Sequence, residues 1–203
     1  MNPLRRLNGP TRAIVETVLT LVVALAIAYL AQAFLIKPYR VPSGSMEPTL
    51  LPGDRVLADR ISLRFETPHR FQIVVFHPPH CKGDPNPADP CAVPTLSQRD
   101  GNADTTFIKR VIGLPGDTLF GRDGHVWLIP SGSKRARPLH EPYLHGVPTE
   151  QLGRIRVPQG YYFLMGDNRG DSDDSRKWGP EKASNIIGIA RARYWPVSRI
   201  GGL

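Results

Sequence analysis

The chain has 203 residues, room for one sizeable domain plus an appendage, and its 40% hydrophobic content is ordinary for a globular chain but unevenly spread. A net charge of +8 admits nucleic acid, anionic lipid or plain solubility as its reason. The Lys and Arg residues are scattered, with no zinc-finger, helix-turn-helix or aromatic-basic array. This sets nucleic acid aside and makes membrane lipid, an anionic surface, the more economical partner.

Arg5, Arg6 and Arg12 come first, and Thr17 to Ile36 then contains no charged residue. About twenty helical residues span roughly 30 Å, the hydrocarbon thickness of a bilayer. Basic flanks stay on the cytoplasmic side. The expectation is a short cytoplasmic N-terminus (1–12), one transmembrane helix (13–36) and an extracytoplasmic β-rich catalytic domain (37–203). A cleaved signal peptide competes, since Ala31-Gln32-Ala33 has the A-x-A form. The run is long for an h-region, and the first chemical motif follows it almost at once.

That motif is Val41-Pro42-Ser43-Gly44-Ser45-Met46-Glu47-Pro48-Thr49-Leu50, serines on a glycine-loosened turn pinned by prolines. A serine hydroxyl is a poor nucleophile until a base takes its proton. Beyond it, residues 55–58, 72–76, 106–112 and 160–165 are β-rich runs bounded by Gly, Pro or Asp. A Leu-Pro-Gly-Asp turn occurs twice, at 51–54 and 114–117. With 21 prolines, 19 glycines and no amphipathic helix beyond the apolar run, the domain reads as all-β. Residues 181–185 read as a short helical turn before a strand at 186–193.

Two stretches, 78–103 and 130–153, are rich in proline and polar residues without sustained periodicity, and read as surface loop insertions. The first holds Cys81 and Cys91. A local disulfide suits an extracytoplasmic domain; zinc bound with His77 and His80, or free thiols, are the alternatives.

Two further blocks ask for the serine turn. Phe107-Ile108-Lys109-Arg110-Val111-Ile112-Gly113-Leu114-Pro115-Gly116-Asp117 sets a lysine in an apolar strand, where alternation can turn it inward. Met165-Gly166-Asp167-Asn168-Arg169-Gly170-Asp171-Ser172-Asp173-Asp174-Ser175-Arg176 is a polar loop after an apolar strand. In this order, behind an apolar N-terminal run, the three blocks resemble bacterial type I signal peptidase over about residues 39–191. Gly170-Asp171 before Ser172, and Phe71-Gln72 before the Ile-Val-Val-Phe run, depart from that family's pattern without touching the serine or the lysine.

The resemblance implies mostly antiparallel coiled β-sheets behind a single membrane anchor. It implies a membrane-anchored serine endopeptidase that removes signal peptides from exported preproteins after Ala-x-Ala-type sites, at a bacterial plasma membrane, with no cofactor and no metal. Ser45 is then the nucleophile and Lys109 the general base. Ser43 and the Ser45 N–H form the oxyanion hole, Ser172 orients the amine, and Asp174 and Arg176 support the loop as an ion pair. Tyr39, Val41, Phe107 and Ile108 face the substrate, with Val41 and Ile108 walling shallow pockets. The chemistry is coherent by itself: a lysine acts as a base only when neutral, and burial lowers its pKa from about 10.4.

Duller readings compete. Ser-x-x-Lys at Ser131–Lys134 matches an acyl-enzyme motif, but its companion Ser-Asp-Asn and Lys-Thr-Gly tripeptides are absent. A calcium loop beginning at Asp171 puts Arg176 where Gly belongs. A self-cleaving Ser-Lys regulator lacks its DNA-binding domain here. A tethered binding module predicts that alanine at Ser45 and Lys109 changes nothing.

Overall fold

The computed structural model describes residues 9–34, 36–77, 106–145, 148–149 and 152–203. Cys81, Cys91 and the 78–103 insertion lie outside the described residues. The first helix, α1 (Gly9–Phe34), is 26 residues long. Its side chains are described over residues 13–26, about 21 Å at 1.5 Å per residue. Among the described residues, no helix is long and apolar enough to cross a membrane.

The remainder is β-structure: β1 (Ile36–Arg40), β2 (Arg55–Asp59), β3 (Ile73–Phe76), β4 (Phe107–Gly113), β5 (Thr118–Arg122), β6 (His125–Ile129), β7 (Arg137–Pro138), β8 (Ile155–Arg156), β9 (Tyr161–Met165), β10 (Glu181–Lys182), β11 (Ile186–Trp195) and β12 (Gly201–Gly202). The large sheet runs β1-β2-β11-β3-β4-β9-β10, with β12 on β11, and the small one runs β7-β6-β5-β8. Every pairing among the described strands is antiparallel. A single helical turn, α2 (Ser175–Trp178), sits between β9 and β10.

Ile-Val-Val-Phe in β3 shows no polar alternation because both of its faces are covered. Ile73 and Val75 join Val41, Met46, Leu50, Val56 and Ile108 in one core; Val74 and Phe76 join Val111, Leu164 and Trp178 in another. A third core, around Ile112, Leu119, Leu128, Phe163 and Met165, seals the small sheet against β4 and β9.

The doubled turn works the same way twice. Asp54 N–H donates to Leu51 O and Asp117 N–H to Leu114 O, with Gly53 and Gly116 at φ +90° and +87°. Such angles suit glycine at the third position of a type II turn, after proline. Each buried aspartate carboxylate then accepts the backbone N–H three residues before it.

The reading of 130–153 as a surface insertion is corrected in part. Leu139, Leu144, Thr149 and Leu152 are buried, and Leu139 and Leu152 belong to the small-sheet core. Their spacing follows neither strand nor helix, because only Arg137–Pro138 pairs along β6 and the rest of the stretch reaches the core at single residues.

Candidate active site

The serine turn is held from below. Val41 N–H donates to Asp54 O and Gly53 N–H to Val41 O, at 2.8 and 2.9 Å, so the first Leu-Pro-Gly-Asp turn clamps its entry. Met46 and Leu50 anchor its far side in the core. Between these anchors a turn of 3-10 helix, Gly44–Met46, leaves Ser45 half-buried.

Lys109 comes from β4. Strand alternation puts it on the face of Phe107 and Val111, opposite Ile108. Its side chain is 4% exposed, and its Nζ lies 2.5 Å from Ser45 Oγ. Burial pushes the amine down from 10.5 to about 8, although Asp174, Asp173 and Asp167 pull it up and only Arg176 adds to the fall. Charged, the ammonium donates to Ser45 Oγ; neutral, it can accept the hydroxyl proton. Among the described residues no histidine hydrogen-bonds to either group, and no cluster of three or more metal-ligating side chains occurs.

The 166–172 loop leaves β9 and docks on the serine turn. Asn168 N–H donates to Ser45 O at 3.1 Å, and its side-chain amide to Gly44 O at 3.2 Å. Gly166 packs so closely that an added Cβ would overlap both Ser45 O and Ser172 Oγ. Asp174 organises the loop from behind. It caps α2, accepts the Gly166 N–H at 2.9 Å and pairs through both oxygens with Arg176, at 2.9 and 2.8 Å. Burial pushes its carboxyl up, but hydrogen bonds to Arg176, that guanidinium's charge and the Gly166 N–H outweigh it and hold the group below its ordinary range.

Other residues singled out in the sequence fall around this pair. The exposed Ser43 hydroxyl donates to Ser45 Oγ at 3.3 Å. Ser172 Oγ is buried and makes no hydrogen bond among the described residues, to Lys109 or to any other group. β1, carrying Tyr39, is an edge strand that pairs, among the described strands, with β2 alone. Phe107 and Ile108 pair with β3 on one side, while β9 joins β4 only from Arg110 onward. β1 and the first residues of β4 therefore present backbone without a partner among the described strands. A depression of about 440 Å³, lined by Arg40, Val41, Pro42, Pro52 and Gly53, lies at the entry to the turn.

The sequence reading passed over a second tier. Arg110 grips Asp167 through Nε and Nη2, at 2.8 and 2.6 Å, and Thr49 donates to the same carboxylate at 2.5 Å. Fully buried Arg169 is bonded to Glu141 and Thr149. An arginine next to the lysine in an apolar strand, and another in the polar loop, were the available signals.

The site thus joins a hydroxyl on a clamped turn to a buried amine whose affinity for protons is lowered, on a β-scaffold. The family model for signal peptidase, peptidase S26, matches residues 14–195. The chain is 39% identical to a probable signal peptidase I-1 of Synechocystis sp. over 96% of this chain and 89% of that one. It is 36% identical to a signal peptidase I of Leptolyngbya laminosa, covering 94% and 84%. A crystal structure of a signal peptidase I from Enterococcus faecalis aligns at 27% identity and a TM-score of 0.40, over 61% of this chain and 97% of that one. The chain belongs to the signal peptidase family S26 and is a serine endopeptidase.

Proposed function

We propose that the protein removes signal peptides from exported preproteins, with Ser45 as nucleophile and neutral Lys109 as general base. The observation that carries this is the 2.5 Å contact between Lys109 Nζ and Ser45 Oγ in a buried setting. The amine takes the Ser45 proton as Oγ attacks the scissile carbonyl, then returns it to the leaving amine. Ser43 Oγ and the Ser45 N–H serve the oxyanion, each donor worth roughly 3 kcal/mol. Ser172, buried and without a hydrogen-bond partner among the described residues, is the hydroxyl available to orient a neutral amine. Asp174 and Arg176 hold the loop.

An extended substrate pairs with the open lengths of β1 and β4, side chains alternating toward shallow pockets. Val41 and Ile108 wall these pockets and favour small residues, hence Ala-x-Ala-type sites. The apolar run at 13–36 anchors the chain in a bacterial plasma membrane, its basic N-terminus cytoplasmic and residues 37–203 outside, with lipid and preprotein as partners. No nucleic acid and no cofactor enter this scheme.

The test is cleavage of an Ala-x-Ala preprotein by the detergent-purified chain, beside Ser45→Ala and Lys109→Ala, with sequencing of the new N-terminus. A cut after the final Ala is expected, reduced on the order of 10²- to 10⁴-fold without the base and further without the nucleophile. The wild-type rate should climb with pH through about 8, the value to which the Lys109 amine is lowered. Retained cleavage in Lys109→Ala would overturn the mechanism.

A further inference from the structure

Arg169 lies in the polar loop with none of its side chain exposed, and it reaches both ways. Its Nε donates to Gly166 O at 3.0 Å, beside the serine turn. Its Nη atoms donate to both carboxylate oxygens of Glu141 and to Thr149 Oγ1, in the stretch that caps the small sheet. Glu141 also accepts the Tyr143 hydroxyl at 2.6 Å. The Tyr143 ring stacks under the Arg110 guanidinium, 4.0 Å from centroid to carbon, and Arg110 grips Asp167. Two routes from one segment thus end on adjacent residues, Gly166 and Asp167. The first abuts Ser45 O; the second holds Thr49.

Apolar side chains could close that core, and burying an arginine with a glutamate is costly. What the charged pair adds is direction, since a guanidinium fork fixes its partners in a plane. We propose that Glu141 is a positioning residue that, through Arg169, sets the 166–172 loop against the Ser45 turn and so keeps the Ser45–Lys109 pair close and dry. The inference rests on the Ser45–Lys109 reading. It makes the small sheet part of the catalytic apparatus without any contact with substrate.

The groups facing Lys109 are Ser45 from the turn, Asp167, Asp173 and Asp174 from the loop, and Arg176 from α2; around Arg169 stand Glu141, Tyr143 and Thr149. The charges that act most on the Lys109 amine are Asp174, Asp173, Arg176 and Asp167, and Glu141 reaches the site through Arg169. Losing a distant negative charge would, if anything, lower that amine further. A loosened loop admits water and raises it. The direction of the change separates position from charge.

The experiment is the pH dependence of kcat and KM for the full chain in detergent, as wild type, Glu141→Gln, Glu141→Asp, Tyr143→Phe and Lys109→Ala, each with a melting curve. In Glu141→Gln, kcat near neutrality should fall about tenfold with KM nearly unchanged, and the rising limb should move about one pH unit toward alkali. Glu141→Asp should recover part of both effects. Tyr143→Phe, which keeps the ring over Arg110, should move the limb the same way by less. If Glu141→Gln fails to fold, Tyr143→Phe decides. A rising limb that stays at its wild-type position in every folded variant overturns the positioning role, whatever happens to the melting temperature. A wild-type limb that survives in Lys109→Ala overturns the dyad itself, and the inference with it.

Discussion

With its amine lowered to about 8, Lys109 is about nine-tenths protonated at pH 7, so the folded chain carries a buried ammonium there. The unfolded chain keeps that proton up to about 10.4, the folded one only to about 8. Between these values the folded state binds fewer protons, so stability rises with pH across the window and the cost is fully felt below it. Lys109→Met should therefore abolish cleavage yet raise the melting temperature at pH 7, by up to about 3 kcal/mol of stability, with the gain fading toward pH 10. Thermal melts of both proteins at pH 7 and 10 check this, and a Met variant that melts lower at pH 7 would refute it. Gly166→Ala is expected to lower activity without touching the amine itself: its Cβ must displace both Ser45 O and Ser172 Oγ, so cleavage should fall on the order of 10²-fold. That Ser45 and Lys109 meet could be anticipated, because the family resemblance pairs the blocks in which they stand. Glu141 could not. Its bond to Arg169 spans 28 residues of chain, and a lone glutamate beside Pro142 in a stretch without periodicity looks like any surface loop.

At the level of strands, legibility followed burial. The runs that became β3, β4 and β9 were visible because the large sheet buries them along most of their length, whereas β2 and β11 showed through shorter apolar runs. β5 and β6 were passed over although their turn, Asp123-Gly124, has the positive φ values of 52° and 75° that suit a two-residue hairpin. Only one face of each holds buried residues and the other is half-buried, and exposed Arg122 and His125 at the ends dilute their apolar content. The same sheet makes a testable demand on β4. Gly113 lies at the register shift between β4 and β9, where a Cβ would stand 2.7 Å from Leu119 Cδ1, 2.8 Å from Phe163 Cβ and 2.9 Å from Val157 Cγ2. Gly113→Ala should cost about 1–3 kcal/mol by overpacking. The pH at which the rate rises should stay put, since Lys109 lies four residues away toward the other end of the strand. Denaturant titration beside a pH–rate profile separates the two. A shifted limb with unchanged stability would mean that the β4–β9 junction acts on the site directly.

For the whole molecule, the question is how closely the β-domain is tied to the apolar run that precedes it. β1 follows α1 almost at once and pairs over its whole length with β2, so the chain passes from helix to sheet with almost no slack. Five strand residues reach about 17 Å, and the serine turn follows directly. If the apolar run is an anchor, Ser45 is held near the membrane–water boundary by this short tether. Ten Gly/Ser residues inserted between α1 and β1 should leave hydrolysis of a short soluble Ala-x-Ala peptide unchanged, because the sheet and the Ser45–Lys109 contact do not depend on tether length. Cleavage of a preprotein inserted in the same vesicles should fall several-fold, since a longer flexible tether dilutes the site over a larger volume. Equal cleavage of both substrates before and after insertion would mean that the tether does not place the site, and would return the apolar run to the role of a removable leader. A parallel loss on both substrates would instead report damage to β1, so the peptide assay is what makes the preprotein result interpretable.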